Sequence, residues 1–275
     1  MNTKSKVLMT ITVAVVLITL ALGYLYYTGA LKKYLPKKEF KLEEYQFSDT
    51  VQFSPDTFVP NLILVNKDYG IARDYDAQIE FYRDTDVLMN KYAIEPYGEL
   101  SDYIKANLND KMFVSSTYRS YDDQERVLGE EGEEVAAEPG HSEHQTGLAM
   151  DVYVKYHAGM GFIDSEVGKF VNSHCGEYGF IIRYPQGRKD ITGFDYEPWH
   201  IRYVGHPHSD IISAFDITLE EYLGYFEEGK WYQYGDYVIG MTRKDIMDIP
   251  SELADKDLMF SKDNRGCIFC WCKIK

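Results

Sequence analysis

Basic side chains are in short supply: 29 Lys and Arg stand against 44 Asp and Glu, a formal net charge of -15. That balance argues against nucleic acid as a partner, because a phosphate-binding surface needs a basic face, and it says little about fold. Cysteine is also sparse, with four in 275 residues. None lies near the N-terminal apolar run, which removes the thiol that a lipoprotein anchor requires. Cys267, Cys270 and Cys272 form a CxxCxC tail, but a closed zinc site wants four ligands. The tail is left as a disulfide of unassignable pairing or as a last strand with small apolar side chains. No HExxH zinc helix occurs.

What is present divides the chain into zones. With 45% hydrophobic residues, the chain supports one sizeable core plus appendages. Residues 1–6 read as a short cytoplasmic N-terminus, and residues 7–27, VLMTITVAVVLITLALGYLYY, are long and apolar enough for a transmembrane helix. Tyr24, Tyr26 and Tyr27 suit the membrane interface. A cleaved signal peptide is the rival, since Ala21 and Gly23 are small residues at a cleavage spacing, but the run exceeds a usual signal core. Lys32, Lys33, Lys37 and Lys38 outnumber Lys4 and Lys6, so the positive-inside rule does not support an external C-terminus.

Residues 28–58 are polar, carry Pro36 and Pro55, and read as a linker. A domain over 59–215 is expected to open with a short strand at Leu62, Ile63, Leu64 and Val65. Leu100, Tyr103, Ile104 and Leu108 recur at helical spacing, and a strand from Met112 leads to Arg119. Ser120 caps the next helix, with Asp122 and Asp123 in its first turn. The acidic segment 129–140 reads as a mobile loop or as a plain solvated one. A helix over 164–175 and strands from Ile181 and over 194–203 follow. Thr218 with Glu221 forms a capping box for a helix over 219–226. The stretch 216–275 reads as a small β-rich appendage with turns at Gly235 and Gly240.

The chemistry concentrates in two runs. His144, Asp151 and His200 make a three-ligand set of the kind a catalytic zinc uses, leaving a fourth position for water. Gly147 and Ala149 suggest a tight turn into a strand that passes close to another surface. Strand alternation then sends Met150 to the core and Asp151 to the site. Glu197, three residues before His200, is the candidate general base. Any one of these four, taken singly, is more often a satisfied polar group. The Ser142 hydroxyl suits a contact to the substrate backbone or to the site's own loop, and Trp199 either walls the pocket or fills the core. His206 and His208 invite a second metal, although a turn with exposed histidines explains them equally well.

The run SEHQTGLAMD at 142–151 resembles SxHxxGxAxD, and EPWH at 197–200 resembles ExWH, the paired motifs of the LAS metallopeptidases, the lysostaphin, D-Ala-D-Ala peptidase and hedgehog group. Residues 116–120, STYRS, are similar to the S-x-Y-R-S segment of the VanY-type D,D-carboxypeptidases in that group, and Gln124 falls where they carry glutamine. With Tyr178, Gly179, Phe180 and the run from Arg183, the resemblance covers roughly 59–210. It implies that His144, Asp151 and His200 hold Zn2+, that Glu197 is the base, and that Arg119 binds substrate; Gln124, Ser142 and Trp199 are expected beside them as further substrate contacts. A guanidinium fork at Arg119 matches the terminal carboxylate a carboxypeptidase must grip, and oxyanion stabilisation is an alternative job for it.

The expectation is therefore an α+β fold, an antiparallel sheet flanked by helices around a zinc site, tethered outside a bacterial membrane by one N-terminal helix. Its substrate would be the peptidoglycan stem peptide ending in D-Ala-D-Ala, trimmed by one D-alanine, with glycopeptide resistance a further implication of the resemblance. An L,D-carboxypeptidase or a cell-wall endopeptidase on the same site is the rival within enzymes. A zinc-stabilised wall-binding module without turnover is the rival outside them, and Glu197 beside a complete ligand set argues against it.

Overall fold

The computed structural model describes residues 3–27, 39–132 and 136–275, with side chains of the first helix limited to residue 5 and residues 9–23. The central sheet has four antiparallel strands in the order Phe113–Ser116, Ala149–Tyr153, His200–Tyr203, Phe180–Ile182. Its apolar face carries Met150, Val152, Phe180 and Ile201 against Ala93, Tyr97, Leu100 and Ile104 of helix Lys91–Asn107 and Val167 and Val171 of helix Glu166–His174. Each of the Val, Leu, Ile, Met and Phe side chains among them contributes roughly 1.5–3 kcal/mol of burial.

Helix Lys91–Asn107 starts well before the expected Leu100. Asn90 caps it by accepting from the Tyr92 N–H at 3.0 Å, and Pro96 lies inside it. The proline gives up its own backbone bond, while the stripe at positions 93, 97, 100 and 104 keeps the helix packed. Gly147, at φ +66°, closes the turn ahead of strand Ala149–Tyr153, and a Cβ there would meet the Asn90 backbone at 2.8 Å. The alternation expected along that strand is present: Met150 and Val152 are buried, Asp151 and Tyr153 half-buried.

Three expected elements differ. Residues 62–65 form no strand; the Leu62 and Leu64 N–H groups donate to Ser261 Oγ and Asn264 Oδ1, and the Ile63 carbonyl accepts from Arg202. The stretch 194–203 is strand only from His200, because the His200 N–H turns back to the Glu197 carbonyl at 3.2 Å. Gly240 lies within strand Tyr237–Thr242, where a side chain would run into the Trp231 ring, while Gly235 is a turn at φ +56°.

The C-terminal stretch builds a five-stranded sheet in the order Glu43–Glu44, Trp231–Tyr234, Tyr237–Thr242, Ile268–Lys273, Met259–Lys262. Strand Thr50–Phe53 pairs with Met247–Pro250. The expected linker is thus partly strand: residues 28–38 lie outside the described residues, but 43–44 and 50–53 are paired into the C-terminal sheets. That sheet shares a core with the rest, in which Leu62, Leu64, Ile181 and Val204 meet Tyr222, Phe226, Ile239, Phe269 and Trp271. All four cysteines are free and buried.

The expected anchor falls on helix Thr3–Tyr27. Among the described residues no helix is long and apolar enough to cross a membrane, so the transmembrane expectation is not supported by the structure.

His208 is fully buried rather than exposed. Its Nδ1 lies 2.7 Å from the Tyr222 hydroxyl, and its ring packs edge-on to Trp271 at 4.4 Å. Burial, with nearby His206 adding to it, pushes its pKa down to about 3. The unfolded chain protonates this residue near 6.5, so between those values the unfolded state binds the extra proton. Stability is then fully present above about pH 6.5 and falls toward pH 3, by about 3 kcal/mol at pH 4. Urea midpoints at pH 7 and pH 4 should show a smaller acid loss in His208→Gln than in the parent chain; an equal loss would assign the acid limb elsewhere.

Candidate metal centre

Antiparallel register does most of the assembly. Asp151 pairs directly with His200 across the central sheet, and Ser116 pairs with Asp151 on the other side. His144 arrives from the short 3-10 helix Glu143–Thr146 just before the strand. The ligand atoms of His144, Asp151 and His200 all lie within 4.8 Å of one another. His144 Nε2 is 3.4 Å from Asp151 Oδ2, and His200 Nδ1 is 3.0 Å from Asp151 Oδ1. Ligands at tetrahedral angles around zinc stand about 3.4 Å apart, given bonds near 2.0–2.1 Å.

The donor set fits a cation on a second ground. Asp151 Oδ1 is buried and has no hydrogen-bond partner among the described residues, although Nδ1 is so close. A buried carboxylate oxygen and a ring nitrogen at this distance suit a positive ion held between them, whether a metal or a proton. His144 Nδ1 lies 2.9 Å from the Thr117 carbonyl; donating its proton there leaves Nε2 bare for a metal.

Burial works against charge on Asp151, but the two imidazoles outweigh it and hold the carboxyl well below the usual carboxylate range. Burial lowers the His144 pKa against the pull of Asp151. At His200 burial also opposes the charged form, yet Asp151 and Glu143 raise it to about 10.

Glu197 sits in the loop before the last ligand, with Oε2 3.5 Å from His200 Nδ1 and its side chain 26% exposed. Burial pushes its carboxyl upward, toward a value at which it can both take and release a proton. Asn172 clamps this loop from helix Glu166–His174, donating to the Pro198 carbonyl at 2.9 Å and accepting from the Tyr196 hydroxyl at 3.0 Å.

The other expected residues line the same cleft. Arg119, Gln124, Ser142 and Trp199 surround it together with Tyr184 and Phe194. Arg119 donates to Gln124 Oε1 at 3.0 Å and to Ser116 Oγ at 3.3 Å. Gln124, buried on the helix Tyr121–Glu131 that Ser120 caps, donates in turn to the Ala137 carbonyl at 2.8 Å. The segment expected as a mobile loop is tied down where it is described: Gly140 donates to Gln145 Oε1 at 2.7 Å and accepts from Ile71 at 2.8 Å. Residues 133–135 of it lie outside the described residues. His206 is held by Asp210 at 2.7 Å, away from this cluster, and His208 is in the core.

Sequence reasoning missed Glu143. It is 1% exposed and sits behind His200, where it forms ion pairs with Arg183 at 2.7 Å and Arg202 at 2.6 Å. Those arginines hold its carboxyl well below the usual range despite complete burial. Its place beside His144 was the one available signal; its partners are scattered through the chain. Asn172 had no signal at all.

A family model described as D-alanyl-D-alanine carboxypeptidase, VanY, matches residues 86–206. A curated D-alanyl-D-alanine carboxypeptidase of Enterococcus faecium is 32% identical over 217 residues, 70% of this chain and 69% of that protein. Among solved structures, the vancomycin-resistance D,D-dipeptidase VanXYg in complex with a D-Ala-D-Ala phosphinate analogue is 27% identical, with TM-score 0.66, covering 82% of this chain and 98% of that one. The LdcB LD-carboxypeptidase is 32% identical, with TM-score 0.56, over 69% and 99%. A point mutant of the vancomycin-resistance D,D-pentapeptidase VanY, in complex with Zn(II), is 31% identical, with TM-score 0.52, over 59% and 98%.

Proposed function

Since the chain belongs to the VanY family of D-alanyl-D-alanine carboxypeptidases, we propose that its cleft removes the terminal D-alanine from peptidoglycan stem peptides ending in D-Ala-D-Ala. The observation that carries this is the convergence of His144, Asp151 and His200 within 4.8 Å, with Glu197 at their edge and Arg119 in the same cleft. His144 through Nε2, His200 through Nδ1 and one Asp151 oxygen would hold zinc. Zinc, when bound, polarises the scissile carbonyl and acidifies the attacking water. Glu197 takes a proton from that water and passes it to the leaving amine. Arg119 grips the carboxylate of the departing residue with its planar fork, kept in place by Gln124 and Ser116. Ser142 and Trp199 complete the walls around the substrate backbone. A chain-end grip of this kind favours trimming over internal cleavage.

The reading extends to the cell. Trimming D-Ala-D-Ala ends removes what glycopeptide antibiotics bind, and the similarity to VanXYg and VanY supports a resistance role. Action on the wall places the catalytic residues outside the membrane. A single-pass anchor is part of the same proposal, supported by the apolar run at 7–27 and by exposed apolar side chains such as Leu17, Ile18 and Leu20 on helix Thr3–Tyr27. The zones 59–215 and 216–275 stand as catalytic domain and appendage in the same proposal.

The similarity to an LD-carboxypeptidase keeps one rival. Soluble pentapeptide and tetrapeptide stems, assayed side by side for free D-alanine, separate the two: release from pentapeptide is expected, and release from tetrapeptide alone would overturn the assignment. In the same assay Arg119→Ala should lose 10- to 100-fold or more in kcat/KM, about 1.4–2.7 kcal/mol. An unchanged value would remove Arg119 from the site.

A further inference from the structure

The geometry points to Glu143 as a positioning residue that decides which nitrogen of His200 faces the metal; this rests on His200 being a ligand through Nδ1. One edge of the ring looks at Asp151 Oδ1 and Glu197, at 3.0 and 3.5 Å. The opposite nitrogen, Nε2, lies 3.6 Å from Glu143 Oε2, just beyond hydrogen-bond length. Both atoms are buried, and neither has a hydrogen-bond partner among the described residues. A neutral imidazole carries one proton. If Nδ1 is bare for the metal, the proton is on Nε2, and Glu143 Oε2 is the acceptor standing opposite it. A shift of a few tenths of an ångström as the ring settles on the ion closes that bond.

The carboxylate is not free to turn away. Its other oxygen, Oε1, accepts from Arg183 Nε at 2.7 Å and Arg202 Nη1 at 2.6 Å. Arg202 is itself pinned by the carbonyls of Asn61, Ile63 and Tyr203 at 3.1, 2.8 and 3.0 Å. Arg183 is pinned by two bonds to Glu220, at 3.0 and 2.6 Å, and Glu220 belongs to helix Leu219–Tyr225, beyond the stretch that the family model matches. Two arginines thus occupy one oxygen and leave the other aimed at the back of the ligand, an arrangement that fixes a metal-bound histidine's tautomer and orientation.

Glu143→Gln tests it. The arginines demand the amide oxygen, so the NH2 group faces Nε2 and favours the tautomer with its proton on Nδ1, where the metal must bind. Competition against a chromophoric chelator should show zinc affinity reduced 10- to 100-fold in Glu143→Gln, with circular dichroism unchanged. Glu220→Gln, which disturbs Arg183 without touching His200, should stay within threefold of the parent. Parental affinity in Glu143→Gln, or an equal loss in both variants, overturns the inference and leaves the ligand assignment standing. Failure of the unsubstituted chain to bind zinc overturns both. Should Glu143→Gln not fold, imidazole 15N spectra of the unsubstituted zinc-loaded chain decide: a His200 proton on Nε2 bonded to a carboxylate is expected, and a proton on Nδ1 overturns the inference.

Discussion

Glu197→Gln should lower kcat for D-alanine release by about 10²- to 10⁴-fold, the range associated with losing a positioned general base and equal to roughly 3–5 kcal/mol in the barrier. The effect is separable from damage to the site. Glutamine keeps the volume, and the loop stays in place through backbone contacts that the substitution does not touch, Glu197 N–H to the Tyr184 carbonyl at 3.0 Å and the Asn172 clamp on Pro198. Zinc content should therefore stay at the parental level while turnover collapses at saturating substrate. Parental turnover in a zinc-loaded Glu197→Gln would remove the carboxylate from the mechanism and leave the metal assignment standing.

Stripping the metal should be equally severe. A chelated chain is expected to release D-alanine at no more than the uncatalysed background and to recover on addition of zinc. Asp151→Asn, which takes away the sole anionic ligand of the set, should resist that recovery. Stability gives an independent reading: zinc at a thousand times its Kd should add about 4 kcal/mol to the folded state, visible as a rise in Tm that Asp151→Asn lacks. Undiminished hydrolysis by the chelated chain would end the zinc mechanism altogether.

The site was legible where chemistry is local in sequence. Residues 142–151 hold two of the proposed ligands and the turn between them, and alternation alone sends Asp151 to the cleft and Met150 to the core. The family resemblance supplied the third ligand's pairing with them; register across the sheet then brings Asp151 opposite His200. Long-range polar contacts were not legible. Residues 62–65 read as a strand because they are apolar, yet their backbone groups are taken by Ser261, Asn264 and Arg202 from distant segments. Glu197 falls within the strand expected over 194–203, while a turn at Glu197 to His200 decides its conformation. The apolar spacing at Leu100, Tyr103, Ile104 and Leu108 marks only the second half of helix Lys91–Asn107; its first half contains Pro96, an unfavourable helix residue that tertiary burial of Ala93 and Tyr97 offsets. Glu143 looked like one more acidic residue in an acidic chain, and its arginine partners lie 40 and 59 positions away.

The pairing of Glu43–Glu44 with Trp231–Tyr234 and of Thr50–Phe53 with Met247–Pro250 has a practical bearing on how the catalytic unit can be excised. A fragment cut at residue 59, where the catalytic domain is expected to begin, would strip the outer partner from two ladders and leave bare amide edges that recruit other copies. It would also discard Leu42, which plugs the shared core and whose N–H reaches the Tyr225 hydroxyl at 3.0 Å. A recombinant version opened at residue 39 retains both cover strands and that plug, so the useful scissors point lies some twenty residues upstream of that boundary.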